Sequence, residues 1–215
     1  MALELLDVEL KLNGRPLVPA FSARVEPGEA LVLMGESGSG KSSLLAWMAG
    51  LLEPPLAASS ASRLLVDDED LTAWPTERRR IGLLFQDDLL YPHLSVLENL
   101  LFARPAGARG ERIAACERAL ERAGLRSFET RLPGTLSGGQ RARVSLLRAL
   151  LASPRALLLD EPFSKLDATL REAMREFVWS ELREQRVAGV LVTHDRQDVP
   201  PGARVIELPR TGADA

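Results

Sequence analysis

The 215-residue sequence predicts an α/β protein: a parallel sheet, a short antiparallel β portion ahead of it and a helical lobe inserted into it. Three observations carry that prediction. The runs Ala30-Leu31-Val32-Leu33-Met34, Ala156-Leu157-Leu158-Leu159 and Gly189-Val190-Leu191-Val192-Thr193 are apolar without alternation, as strands covered on both faces are. Helical spacing marks Ser95 to Ala103, Glu111 to Ala123, Gly138 to Ala152 and Thr169 to Glu184, the last three with solvated faces of Glu and Arg. A glycine-rich loop sits between the first apolar run and the helical stretch Ser43 to Ala49, which Gly50 is placed to end.

Taken in order, Leu3 to Lys11 and Pro19 to Val25 read as antiparallel strands, with turns at Asn13-Gly14 and Pro27-Gly28. The strand Ala30 to Met34 follows. Ala57-Ala58-Ser59-Ser60-Ala61-Ser62 reads as a flexible surface loop, and Arg78-Arg79-Arg80 beside Glu77 as a solvated turn. Ile81 to Phe85 is a further apolar run. From about Asp87 to Leu147 there are helices and no convincing strand. One domain over residues 1–215 is therefore expected, with 1–86 and 148–215 as the core and its β portion, and 87–147 as the helical lobe.

Composition excludes several functions. With 46% hydrophobic and 27% charged residues the chain can bury a core without disulfides, and its one cysteine, Cys116, falls in a helical pattern as a small core residue. Counting 27 basic against 30 acidic residues gives −3, so no global field draws in nucleic acid. No apolar run approaches the roughly 18 residues that span a bilayer, and the N-terminus lacks the pattern of a signal peptide. A membrane role would come through a partner.

The chemistry starts at Gly35-Glu36-Ser37-Gly38-Ser39-Gly40-Lys41-Ser42, a full G-x-x-x-x-G-K-[ST] loop, with Ser43 next to it. Glycines let successive N–H groups turn toward phosphates, and the helix that follows adds its positive end. Lys41 reaches the β- and γ-phosphates, and the Ser42 hydroxyl contributes to a Mg²⁺ site. A nucleoside triphosphate is the expected ligand. Asp160 ends an apolar strand, where a carboxylate can hold Mg²⁺, largely through its water shell. Glu161, one residue on, is placed to orient or deprotonate an attacking water.

A phosphate loop is shared by kinases, GTPases and motors, so later motifs decide. Leu136-Ser137-Gly138-Gly139-Gln140 precedes a helix, and Leu157-Leu158-Leu159-Asp160-Glu161-Pro162 follows it. Taken alone, Ser137-Gly138-Gly139 would be an ordinary helix N-cap. In this order the motifs resemble those of ATP-binding cassette (ABC) ATPases over essentially the whole chain. That resemblance implies the ABC ATPase fold, a P-loop NTPase core hydrolysing ATP with Mg²⁺, and further roles. Gln86 matches the glutamine loop, which touches the metal or the attacking water, and His194 the switch histidine of the γ-phosphate. His93 stays a loop residue. Ser164-Lys165-Leu166-Asp167 matches the D-loop, a dimer-communication element, with Lys165 where Ala is commoner and Asp167 the residue that carries the match.

The resemblance also implies a head-to-tail homodimer on ATP binding. Each nucleotide would be held by one chain's phosphate loop and by Ser137, Gly138, Gly139 and Gln140 of the other. Arg80 to Gln86, Pro92 to Val96 and Asp160 to Ser164 look like the ATPase subunits of binding-protein-dependent importers, closest to YnjD-type and then thiamine-importer subunits. Implied partners are an integral-membrane permease and, indirectly, a substrate-binding protein, with the chain cytoplasmic and peripheral on the membrane. Leu89, Leu90, Tyr91 and Leu94 are candidates for the permease contact. Ending at Ala215, the chain would lack the C-terminal regulatory domain of sugar and polyamine importer ATPases. The competing classes are an ATPase of a small exporter or lipoprotein-release system, a soluble ABC ATPase acting on nucleic acid, and a non-ABC nucleotide kinase. One departure stands out: Met1 to Ala20 hold no Phe, Tyr or Trp to stack on adenine, and Leu12 or Asn13 falls near that place. Weaker adenine binding and poorer discrimination against GTP are expected.

Overall fold

The structure, a computed structural model, describes residues 1–164 and 166–209. Lys165 therefore lies outside the described residues. Contacts divide the chain into two compact units: Met1–Leu83, Arg155–Glu161 and Glu181 onward form the first, and Leu84–Pro154 with Pro162–Ser180 the second.

In the first unit, β1 (Leu3–Leu12) and β2 (Arg15–Val25) pair antiparallel through Asn13 and Gly14, both left-handed at φ 51 and 78. Two successive left-handed residues make the tight turn whose twist matches a hairpin. β2 begins earlier than the expected Pro19, and it tolerates Pro16 and Pro19 because it is an edge strand. Leu3, Leu5, Val8 and Leu10 are all fully buried although their spacing breaks after Leu5. Asp7, at φ 45, supplies the irregularity, and a register shift between Leu5 and Val8 brings both pairs to one face. β4 (Leu56–Ala58) pairs with β1, while β5 (Arg63–Val66) and β6 (Glu69–Asp70) extend the sheet in the order β2-β1-β5-β6.

This corrects the flexible loop expected over Ala57 to Ser62. Ala57 and Ala58 are strand residues, and Ser62 is 1% exposed, its hydroxyl accepting from the Glu9 amide at 3.1 Å.

The second sheet runs β10-β3-β9-β8-β7, from β10 (Arg204–Glu207), β3 (Ala30–Met34), β9 (Ala188–Val192), β8 (Ala156–Asp160) and β7 (Ile81–Leu84). β10 with β3, β3 with β9 and β9 with β8 are parallel. Every residue of β3 and β9 is buried, which is why those runs carry no alternation. Leu31, Leu33, Leu158 and Val190 join Leu44, Leu45 and Met48 of α1 (Lys41–Ala49) in one core.

Arg79 is a second correction. It closes α2 (Thr76–Arg79) but is only 5% exposed, donating to the carbonyls of Trp74, Trp47, Met48 and Thr72 at 2.7–3.0 Å. Two of those carbonyls end α1, where unpaired acceptors and the negative helix terminus favour a cation. Arg78 and Arg80 are exposed, as a solvated turn would have them.

The second unit contains α3 (Val96–Ala103), α4 (Arg109–Arg122), α5 (Gly138–Leu151) and the first part of α6 (Ala168–Gln185). Its core joins Val96, Leu100, Cys116, Leu120, Val144 and Leu147. Cys116 is fully buried, which raises its thiol pKa, as a core residue's should be. Leu90 belongs to the same core at 8% exposure, so its expected place on a docking surface is corrected; Leu89, at 54%, is exposed. The loop before α3 is fixed by buried Asn99, whose side chain accepts from the Tyr91 amide and donates to the Tyr91, Leu94 and Ser95 carbonyls.

Candidate nucleotide site

The phosphate loop leaves β3 at Gly35 and enters α1 through Gly40, whose φ of 88 makes it a left-handed N-cap. A Cβ there would sit 2.6 Å from Val18 Cγ2 and 3.0 Å from Leu17 Cγ, so the loop packs against β2 only because position 40 has no side chain. Lys41 is 7% exposed, and its ammonium donates to the Gly35 and Glu36 carbonyls, each at 2.8 Å. The cation is thus folded into the concavity of its own loop. Ser42 Oγ donates to Asp160 Oδ1 at 3.2 Å.

A cleft of about 740 Å³ opens here. Its polar lining is the loop from Glu36 to Ser43, without Ser39, together with Glu161 and His194; its apolar lining is Leu12, Leu17 and Leu56. Gly35 and Ser39 do not line it: Ser39 is fully buried, and its Oγ would be 2.8 Å from a Cβ on half-buried Gly35.

Asp160 and Glu161 end β8 differently. Asp160 is half-buried, and desolvation pushes its carboxyl above the usual range; the Ser42 hydrogen bond opposes this, neighbouring Glu161 adds to it and Lys41 opposes it. A desolvated carboxylate beside a hydroxyl is a hard-oxygen pair that suits Mg²⁺. Among the described residues no group of three or more His, Cys, Asp and Glu could hold a metal, so such a cation would complete its shell with water and phosphate oxygens.

Glu161 adopts φ 45, a conformation that costs a side-chain-bearing residue about 1–2 kcal/mol. Its amide donates to the Val192 carbonyl at 3.0 Å, and its Oε1 lies 3.2 Å from His194 Nδ1. Buried Thr193 holds the turn that carries His194: its amide donates to the Leu33 carbonyl, its hydroxyl donates to Asp198 at 2.7 Å and accepts from the Asp195 amide. Sequence reasoning missed Thr193, although a Thr-His-Asp step directly after a buried strand was there to be read.

The remaining candidates lie in the second unit. Gln86 is exposed and its amide donates to Ser164 Oγ at 3.2 Å. Ser137 caps α5 in a reciprocal box with Gln140, leaving Ser137 and Gly138 exposed at the helix start. Gly139 is buried under α6, where a Cβ would lie 2.2 Å from Leu170 Cδ2. Asp167 accepts from the Leu170 amide at 3.0 Å, the bond of a helix N-cap. Arg141 joins the glutamine loop to the start of α5, donating to Asp88 at 2.7 Å and to the Leu136 carbonyl at 2.8 Å. Neither Arg141 nor Asp88 was singled out from the sequence.

Residues 19–164 match the sequence model of a family described as ABC transporter. The chain belongs to the ABC transporter family. It is an ATP-binding member of it and an ATPase. Over 203 residues it is 47% identical to an uncharacterized ABC transporter ATP-binding protein, YnjD, of Escherichia coli, covering 94% of this chain and 93% of that one. It is 39% identical over 201 residues to the thiamine import ATP-binding protein ThiQ of Salmonella choleraesuis, covering 91% and 81%. The Fe(3+) ions import ATP-binding protein FbpC of Rhizobium etli is 38% identical over 198 residues, and there the ABC chain spans 54% of the relative's length.

This ABC ATPase keeps Lys41, Ser42, Asp160, Glu161 and His194 together in its first unit and Gln86, Ser137 to Gln140 and Asp167 in its second. Leu12 lines the cleft where an adenine-stacking aromatic was sought; Asn13 forms the turn instead. No described helix is long and apolar enough to cross a membrane.

Proposed function

We propose that the chain is the ATP-hydrolysing subunit of an importer, held on the cytoplasmic face of a membrane by permease subunits that take substrate from a binding protein. The single observation that carries the catalytic part is Glu161, held in a left-handed turn at the end of β8 with its carboxylate 3.2 Å from His194, beside the phosphate loop. The import direction is supported by relatives whose names describe thiamine and Fe(3+) import; those substrates are theirs.

On ATP binding, the Lys41 ammonium exchanges the Gly35 and Glu36 carbonyls for β- and γ-phosphate oxygens, while loop amides from Glu36 to Ser43 approach the same charge. Ser42 and Asp160 would hold Mg²⁺, which neutralises phosphate charge when bound; Gln86 is assigned to the metal or the attacking water. Glu161 accepts a proton from that water as its oxygen bonds to the γ-phosphorus. The bond to the β–γ bridging oxygen breaks, and ADP and phosphate leave. His194 orients Glu161 and donates to a γ-phosphate oxygen.

Two copies act together, each offering Ser137, Gly138, Gly139 and Gln140 to the other's triphosphate, with Asp167 communicating across the dimer. The exposed α5 terminus supplies the positive helix end this needs. Loss of the γ-phosphate removes the bridge, which couples hydrolysis to separation. Residues 87–147 act as the helical lobe, and exposed Leu89 and Tyr91 face the permease. Glu161→Gln tests the assignment: ATP binding persists while turnover falls about 100-fold or more. Native turnover in that variant would refute it.

A further inference from the structure

The His194 side chain is 66% exposed, so packing does not hold its ring and the backbone that presents it must. That backbone is tied to both neighbouring strands. The Val192 carbonyl, at the end of β9, accepts the Glu161 amide at 3.0 Å, and the Thr193 amide donates to the Leu33 carbonyl of β3 at 3.2 Å. Glu161 and His194 therefore take their places from two consecutive residues. A buried side-chain pair supplies the remaining tie. Thr193 is 2% exposed and Asp198 5%, and the Thr193 hydroxyl donates to Asp198 Oδ2 at 2.7 Å while accepting from the Asp195 amide at 3.1 Å. Asp195 then caps the 3-10 turn Arg196–Asp198: its carboxylate accepts from the Gln197 amide at 2.9 Å and its carbonyl from the Asp198 amide at 3.1 Å. Residues 193 to 198 thus close a circuit of hydrogen bonds around His194.

A hydrocarbon pair would fill the same space without taking a carboxylate out of water, so stability alone does not account for Asp198. What the pair supplies is direction, because a short hydroxyl-to-carboxylate bond is strong and geometrically demanding. Resting on the reading of His194 above, we propose that Asp198 is a positioning residue: through the Thr193 hydroxyl it sets the turn that aims the His194 imidazole at Glu161 and the γ-phosphate. Asp198 is not among the residues that line the nucleotide cleft. Its loss lets the turn relax, and a misplacement of about 1 Å at a reacting centre lowers a rate by about 100-fold. The phosphate loop, which holds the nucleotide, is left as it was.

The test separates aim from affinity. Thr193→Val keeps the shape of the side chain without its hydroxyl, and Asp198→Ala removes the acceptor. Each lowers kcat for MgATP hydrolysis by about 10- to 100-fold and leaves the ATP Kd within about threefold of native. Combining them costs no more than either alone, because both delete one bond. Thr193→Ser and Asp198→Asn keep a donor and an acceptor and return kcat to within about fivefold of native. The chain has two histidines, so imidazole NMR signals separate His194 from His93. In the otherwise native chain Glu161→Gln shifts the His194 signals and leaves those of His93; in the Thr193→Val or Asp198→Ala background it shifts neither. Native kcat in Thr193→Val and Asp198→Ala, with His194→Ala slow, overturns the positioning role alone. Native kcat in His194→Ala overturns the reading beneath it. His194 signals unmoved by Glu161→Gln in the otherwise native chain overturn the proposal whether or not the Thr193 and Asp198 variants fold.

Discussion

Replacing Arg79 by methionine removes a guanidinium that four carbonyls share and leaves a side chain of similar length in its place. Arg79 is 5% exposed, and burial lowers its pKa from the usual guanidinium value without deprotonating it. Of its acceptors, Trp47 O keeps the Gly50 amide at 3.0 Å, whereas Met48 O, Thr72 O and Trp74 O lose a donor at 3.0, 2.7 and 2.8 Å. A buried carbonyl stripped of its donor, as at Met48, costs about 1–3 kcal/mol, and the part-buried Thr72 and Trp74 carbonyls cost less each because water reaches them. Relief of guanidinium desolvation offsets part of that, and a net loss of about 3 kcal/mol remains. In a chain of this size that lowers Tm by about 6–12 °C. Urea and thermal melts followed by tryptophan fluorescence read it directly. Arg79→Lys recovers less than half, because one ammonium cannot span the four carbonyls, and exposed Arg78→Met changes stability by under about 0.5 kcal/mol. ATP affinity of folded Arg79→Met stays native, since phosphates meet the opposite end of α1. Equal stabilities of Arg79→Met and Arg78→Met would refute the reasoning.

Asp160→Asn stabilises the nucleotide-free, metal-free chain at neutral pH. A carboxyl raised by desolvation costs stability as pH climbs from its unfolded pKa to its folded one, so the Tm gain of the variant vanishes below the ordinary carboxylate range; a gain that persisted there would contradict the cause. Gly139→Ala sets a methyl against Leu170 and destabilises the second unit by about 1–3 kcal/mol, and Leu170→Ala restores most of it. A double-mutant cycle showing no coupling would refute that contact. Leu89→Glu preserves the fold and lowers permease-stimulated hydrolysis, whereas Leu90→Glu buries a charge in the lobe core and unfolds it; circular dichroism with permease-stimulated ATPase assays separates the two.

Much of this was legible in the sequence because buried parallel strands and phosphate chemistry both leave contiguous patterns. Ala30 to Met34 and Ala188 to Val192 show their burial in unbroken apolar runs, and the loop from Gly35 to Ser42 is fixed by its spacing. β10 was missed because an edge strand reading Arg204-Val205-Ile206-Glu207 is largely exposed and too short for a period to emerge. β4 was missed because Leu56 to Ala58 gains its order from β1, far off in sequence. Arg79 looked like its neighbours because three consecutive arginines differ only in what surrounds them. Leu90 and Leu89 are adjacent leucines with opposite fates, and the left-handed backbone at Leu89, φ 46, leaves no mark in the sequence. The motif put Glu161 at the end of β8, but the left-handed turn it occupies there needs coordinates to see.

The shared-site claim is tested most directly by sedimentation of the Glu161→Gln chain with and without Mg-ATP. A reversible dimer forms with ATP and separates with ADP, and a second substitution, Ser137→Arg, abolishes the dimer while one chain still binds ATP. A monomer at saturating ATP, or a dimer indifferent to Ser137→Arg, would contradict the account.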